Sequence, residues 1–130
     1  MQEPSVILAD LPEGVTLDVG FLEDLGHPVV VCHGPGPGKL CPILAGEGCP
    51  KAEAAHGVVF ALDLGRPQHR KILERYKETL REDIPISVVT DPAMAQRYHA
   101  LLEDVRVWTS PPGIADLDGL AAEVEAADRV

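Results

Sequence analysis

Aromatic residues are scarce, with one Trp, two Tyr and two Phe in 130 residues. The core must therefore be built from aliphatic side chains. Positive charge is also short: 11 Lys and Arg stand against 21 Asp and Glu, a net charge of −10 at pH 7. An excess of that sign repels nucleic acid and anionic membrane surfaces, so neither is an expected partner. No apolar run approaches the roughly 20 residues of a membrane span. The first residues lack the basic start and long apolar stretch of a secretory signal, and a cytoplasmic protein is expected. The three cysteines are an odd number, which excludes a closed disulfide framework. In the cytosol such cysteines serve as metal ligands, redox thiols or ordinary buried residues.

What is present fits one globular domain spanning residues 1–130, with 45% hydrophobic and 25% charged residues. A chain of this size buries about two thirds of its unfolded surface. Short β-branched runs recur at Ser5–Ala9, Pro28–Cys32, Val58–Leu62, Ile86–Val89 and Val105–Trp108. They are continuous apolar runs, not alternations, and suit strands covered on both faces. Helical periodicity lies between them, over Thr16–Leu25, Pro67–Leu80, Pro92–Leu102 and Ile114–Ala127, with a weaker helix over Pro50–His56. Gly26 is a stop signal, Pro67 suits a first helical turn and Asp91 an N-cap. The order predicts an α/β protein, a three-layer α/β/α sandwich around a five-stranded parallel sheet. The flavodoxin-like strand order 2-1-3-4-5 follows from right-handed crossovers.

In such sheets chemistry sits at the carboxyl ends of the strands. Those ends carry Asp10, then Cys32 and His33, then Asp63, then Thr90 and Asp91, then Thr109 and Ser110. Carboxylates on neighbouring strands repel, so a close pair holds a cation, shares a proton or is partly solvated. Asp also ends strands and caps helices for purely structural reasons. Asp63 is followed four residues later by Pro67, and Thr90 stands 27 residues beyond Asp63. Ser110-Pro111 ends the fifth strand and precedes a last helix from Ile114.

This arrangement resembles the receiver domains of two-component response regulators over about residues 5 to 127. The resemblance implies that Asp63 is the phosphoacceptor-like residue, that Asp10 with Glu13 supplies an acidic pocket, and that Thr90 and Ser110 hold switch-like positions. It also implies magnesium at Asp10 and Asp63. It further implies a protein partner or a second copy docked on the face of the fourth helix, fifth strand and fifth helix, around Tyr98, Arg106 and the helix from Ile114.

Two departures stand out. The family ends its first strand with adjacent acids, whereas this chain reads Asp10-Leu11, with Glu13 beyond Pro12. The family carries a Lys-Pro pair after the fifth strand, and here Ser110 replaces the lysine. A charge-assisted contact of that kind contributes about 1.5–3 kcal/mol, so phosphorylation is expected to be slow and weakly coupled. The expectation is a degenerate, or pseudo-, receiver: a stand-alone, non-enzymatic signalling module.

A Gly/Pro/Cys-rich insertion over 33–50 replaces most of the second helix and holds Cys41 and Cys49, with Cys32 at its start. Three explanations compete. Cys32, Cys41 and Cys49 with His33 or His56 could ligate zinc or an iron–sulfur cluster. Two of the thiols could form a reversible disulfide. All three could simply pack as small apolar groups. Gly34 to Lys39 only approaches a phosphate-binding loop, because Leu40 follows Lys39 and Pro35 and Pro37 remove two backbone donors. Of the remaining histidines, His27 reads as a turn residue, and His69 and His99 read as solvated helical positions among charged neighbours.

Overall fold

The computed structural model describes residues 5–12, 17–33, 52, 54–80, 83–110 and 112–128. Most of the Gly/Pro/Cys-rich insertion lies outside them, as do Glu13, Pro111 and residues 50, 51 and 53 of the weak helix expected over Pro50–His56, whose residues 54–56 form a turn and bend instead of helix. Five strands form one parallel sheet: β1 (Ile7–Asp10), β2 (Val29–Cys32), β3 (Gly57–Phe60), β4 (Ile86–Val89) and β5 (Arg106–Trp108). Their order is β2-β1-β3-β4-β5, as expected. The helices are α1 (Val19–Asp24), α2 (Pro67–Thr79), α3 (Pro92–Arg97) and α4 (Ile114–Asp128).

Strand parity divides the apolar runs between two faces. Leu8, Val58, Phe60 and Val88 point to one side, where Ile72, Leu73 and Tyr76 of α2 cover them, with Ala95 of α3 packed alongside. Ile7 and Val59 point to the other, beneath Leu22 of α1 and Leu117, Leu120, Ala121 and Val124 of α4. Every residue of β1 and β3 is buried, which is why these runs carry no polar alternation. Gly57 lets α4 approach β3 closely: a Cβ there would lie 2.7 Å from Val124 Cγ2.

The helix ends follow local chemistry. The Asp18 carboxylate accepts the Phe21 N–H to open α1, and Gly26 at φ 92° turns the chain out of it, a conformation glycine alone adopts without strain. Asp91 caps α3 through the Met94 N–H at 2.8 Å. Pro67 stands in the first turn of α2. The expected helix over Pro92–Leu102 stops at Arg97, and residues 98–104 form turns. Side chains reach carbonyls along this stretch. His99 Nδ1 lies 3.0 Å from the Gln96 oxygen, and Lys77 Nζ donates to the Leu101 oxygen at 2.6 Å.

Two histidines depart from their expected roles. His27 is 4% exposed. Its ring nitrogens lie 3.1 Å from the Ser5 carbonyl oxygen and 3.2 Å from Glu125 Oε1, tying the approach to β1, the start of β2 and α4 together. His69 is 6% exposed, not solvated. It shares a buried helical stripe with Ile72, Leu73 and Tyr76.

Candidate functional site

All five strands are parallel, so their carboxyl ends share one rim. Asp10 ends β1 opposite Cys32 of β2 and Phe60 of β3. The Ala61 N–H donates to the Asp10 carbonyl at 2.8 Å, and Asp63 follows two residues on. Thr90 extends the β4–β5 ladder, its N–H donating to the Trp108 carbonyl at 3.0 Å. Asp10, Asp63 and Thr90 therefore stand along the same rim.

The two carboxylates have different surroundings. Asp10 is 1% exposed, and the Tyr76 hydroxyl donates to its Oδ2 at 2.7 Å. Parity explains this: Asp10 shares the face of Leu8, beneath α2. Asp63 lies in solvent on the tight turn between β3 and α2. Its Oδ1 accepts the Gly65 N–H at 2.8 Å, and its Oδ2 lies 3.8 Å from Arg66 Nε. Gly65 suits the turn, since a Cβ there would sit 3.0 Å from Asp63 Oδ1.

Among the described residues, no group of three or more His, Cys, Asp or Glu is placed to hold a metal ion. A magnesium site at Asp10 and Asp63, as the resemblance implies, needs convergent oxygens in near-octahedral geometry. Asp10 Oδ2 accepts from the Tyr76 hydroxyl, and Asp63 Oδ1 accepts from the Gly65 N–H. Ser110 is exposed beyond β5.

Of the candidate thiol and imidazole ligands, Cys41 and Cys49 lie outside the described residues. Cys32 is half-buried at the end of β2, and His33 Nδ1 lies 2.9 Å from the Leu11 carbonyl. His56 belongs to the opposite rim. Its Nδ1 accepts the Val6 N–H at 3.1 Å, ahead of β3. Four residues of register separate it from the level of Cys32, roughly 13 Å at the rise of a strand. His56 and Cys32 are too far apart along the strands to share one ion.

Sequence reading missed His69, although its place on the stripe with Leu73 and Tyr76 was a usable signal. Its Nδ1 accepts the Asp63 N–H at 3.0 Å. Burial holds the imidazole below its ordinary pKa of 6.5, and the Arg66 charge acts in the same direction, against a smaller upward pull from Asp63. The ring is therefore the neutral tautomer with its proton on Nε2. The next residue of α2, Arg70, donates to the Leu64 carbonyl at 2.7 Å and to the Tyr98 hydroxyl at 3.0 Å. The Arg70 and Arg97 guanidiniums lie 4.8 and 5.5 Å from the Tyr98 ring centre.

A concavity of about 770 Å³ lies at the other edge of the sheet, lined by Lys77, Asp83, Pro85, Asp104, Arg106 and Glu123 among others. Its charges are largely paired, Lys77 with Asp104 and Arg106 with Glu123. It opens at the amino ends of β4 and β5, and Tyr76, which also reaches Asp10, forms part of its lining.

No protein-family model matches the chain, and no curated protein matches it. Solved structures do. The receiver domain of Francisella response regulator 1452 superposes with a TM-score of 0.55 at 16% identity, covering 98% of both chains. The fold is the receiver fold. The phosphorylated cyanobacterial phytochrome response regulator RcpA gives a TM-score of 0.51 at 16% identity, over 98% of this chain and 93% of that one. NtrX from Brucella abortus, solved in complex with ATP, gives 0.63 at 15% identity over 97% of this chain. The present chain spans only 28% of NtrX. At these identities the likeness to receivers carries the architecture alone. Among the described residues, no helix is long and apolar enough to cross a membrane.

Proposed function

We propose that this chain is a receiver-like, non-enzymatic signalling module of the cytoplasm, with Asp63 as the acceptor of a phosphoryl group. The observation that carries the reading is the Asp63 turn. An exposed carboxylate follows the central strand β3, with one oxygen held by the Gly65 N–H and the other 3.8 Å from Arg66 Nε. Around it the fold is that of receivers, and Thr90 stands on the same rim. With acetyl phosphate as donor, an Asp63 oxygen would attack phosphorus and form an acyl phosphate. The bond from phosphorus to the acetate oxygen would break, and acetate would leave with the electron pair.

The modification is expected to be weak. Arg66 is the cation this turn offers, and both partners are largely exposed. Exposed pairs contribute about 0–1 kcal/mol, less than the charge-assisted contact of a buried lysine. Signalling then runs through protein contacts on α3, β5 and α4, where Tyr98 is flanked by Arg70 and Arg97, to a partner or to a second copy. The test is incubation with acetyl phosphate, or with beryllofluoride and magnesium, read by intact mass and by NMR. A wild-type adduct that Asp63→Asn abolishes is expected. No adduct on wild-type protein, or one that survives the substitution, overturns the phosphoacceptor assignment.

The cysteines support a second reading, a metal or thiol-redox sensor. Its specific support is the register that sets Cys32 beside Asp10 at the carboxyl rim, with His33 next to it. Native mass spectrometry with metal analysis, before and after mild oxidant, separates the two. Protein that carries no zinc or iron and keeps three titrating thiols after oxidant would discard the sensor.

A further inference from the structure

We propose that His69 is a positioning residue for Asp63: its neutral Nδ1 fixes the backbone of the acceptor turn and thereby presents Asp63 Oδ2 to an incoming phosphoryl group. This rests on the assignment of Asp63 above and adds the device that orients it. Asp63 lies beyond the end of β3, where the sheet no longer holds its backbone. Three local bonds replace the ladder. The Asp63 N–H donates to His69 Nδ1 at 3.0 Å, the Arg66 N–H donates to the Asp63 carbonyl at 3.0 Å, and the Gly65 N–H donates to Oδ1 at 2.8 Å. The last of these engages one carboxylate oxygen, while Oδ2 of this exposed side chain lies 3.8 Å from Arg66 Nε. The first is the only one of the three supplied by the side chain of a buried residue.

That residue is well placed to act as an anchor. His69 is 6% exposed and sits in the first turns of α2, on the stripe it shares with Leu73 and Tyr76. The same helix holds the other rim acid, through the Tyr76 hydroxyl on Asp10 Oδ2. One rigid element therefore sets the Asp63 turn with its first exposed-to-buried side chain and Asp10 with a residue two turns on. A displacement of α2 would alter both acids together. A backbone N–H bonded to a ring nitrogen needs that nitrogen unprotonated, and the buried environment of His69 keeps it so.

The test compares wild type, His69→Leu and His69→Asn in the intact chain, uniformly labelled with nitrogen-15. Asn can return an oxygen acceptor close to the Nδ1 position, and Leu cannot. In wild type, a scalar coupling across the hydrogen bond between the Asp63 and His69 Nδ1 nitrogens is expected, with the Nε2–H tautomer. In His69→Leu, Asp63 amide exchange should quicken and the acetyl phosphate adduct should form more slowly, each by about five- to tenfold, the scale of one hydrogen bond. His69→Asn should recover most of both. An Nδ1–H tautomer in wild type, or a leucine variant with unchanged exchange and labelling, overturns the proposal. Failure of wild type to form any adduct refutes the phosphoacceptor reading instead, and the coupling and exchange data still decide whether His69 holds the turn. The wild-type coupling needs no variant, so it decides that point even where the leucine substitution prevents folding.

Discussion

Replacing Tyr76 with Phe should cost about 2 kcal/mol of folding stability. The substitution removes one oxygen and little else. The ring stays edge-on to Phe60, at 6.3 Å between centres and 89° between planes, so packing of the α2 face is retained. What is lost is the 2.7 Å bond to Asp10 Oδ2, an acceptor 1% exposed that water cannot readily reach. Leaving a buried acceptor one donor short costs about 1–3 kcal/mol. With an unfolding entropy of about 2.1 cal/mol/K per residue, 130 residues give ~0.27 kcal/mol/K, so 2 kcal/mol lowers Tm by about 7 °C. Differential scanning calorimetry on both proteins measures this directly. A double-mutant cycle with Asp10→Ala isolates the pair, and a coupling of about 1 kcal/mol or more is expected. A Tm change below ~2 °C together with no coupling would refute the reasoning, because Asp10 would then be satisfied without Tyr76.

Three further outcomes follow from other contacts. Gly57→Ala places a methyl 2.7 Å from Val124 Cγ2, and should destabilise by about 1–3 kcal/mol in urea unfolding, with Val124→Ala in the same chain recovering part of the loss. Ser87 is 0% exposed, and among the described residues its Oγ has no hydrogen-bond partner, so Ser87→Ala should leave stability unchanged or raise it by up to about 1 kcal/mol. Because folding holds His69 neutral, the unfolded chain binds more protons; this contribution to stability is complete above pH 6.5 and is lost as pH falls from that value towards the lower folded pKa. Urea midpoints taken between pH 7.5 and 5 should fall more steeply for wild type than for His69→Asn, and parallel profiles would contradict the shift.

The sheet was legible because its signal is local. Each strand is a short apolar run whose neighbours on both faces are helices, and composition alone betrays that setting. The rim was only half legible. Position along the strand identified Asp10 and Asp63 as end residues, but a carboxylate's surroundings depend on parity and on partners far away in sequence. Asp10 has the parity of Leu8, which was readable, whereas its contact with Tyr76 spans 66 residues and was not. His69 lay within reach of the helical stripe argument, and its charged sequence neighbours obscured it. His27 offered no local sign at all, since Glu125 is 98 residues away. The contact of Lys77 with the Leu101 carbonyl, beyond the end of α3, was equally hidden, because that lysine belongs to another helix.

The closure of the second face by α4 has a bearing on biosynthesis. Ile7, Leu22 and Val59 acquire their cover from Leu117, Leu120 and Val124, and His27 meets Glu125 on that same helix. While the ribosome is still adding residues beyond 113, one side of the nascent sheet has only α1 to cover it. The emerging polypeptide is then most exposed to sticking and to chaperone capture, and docking of α4 is the event that closes this face.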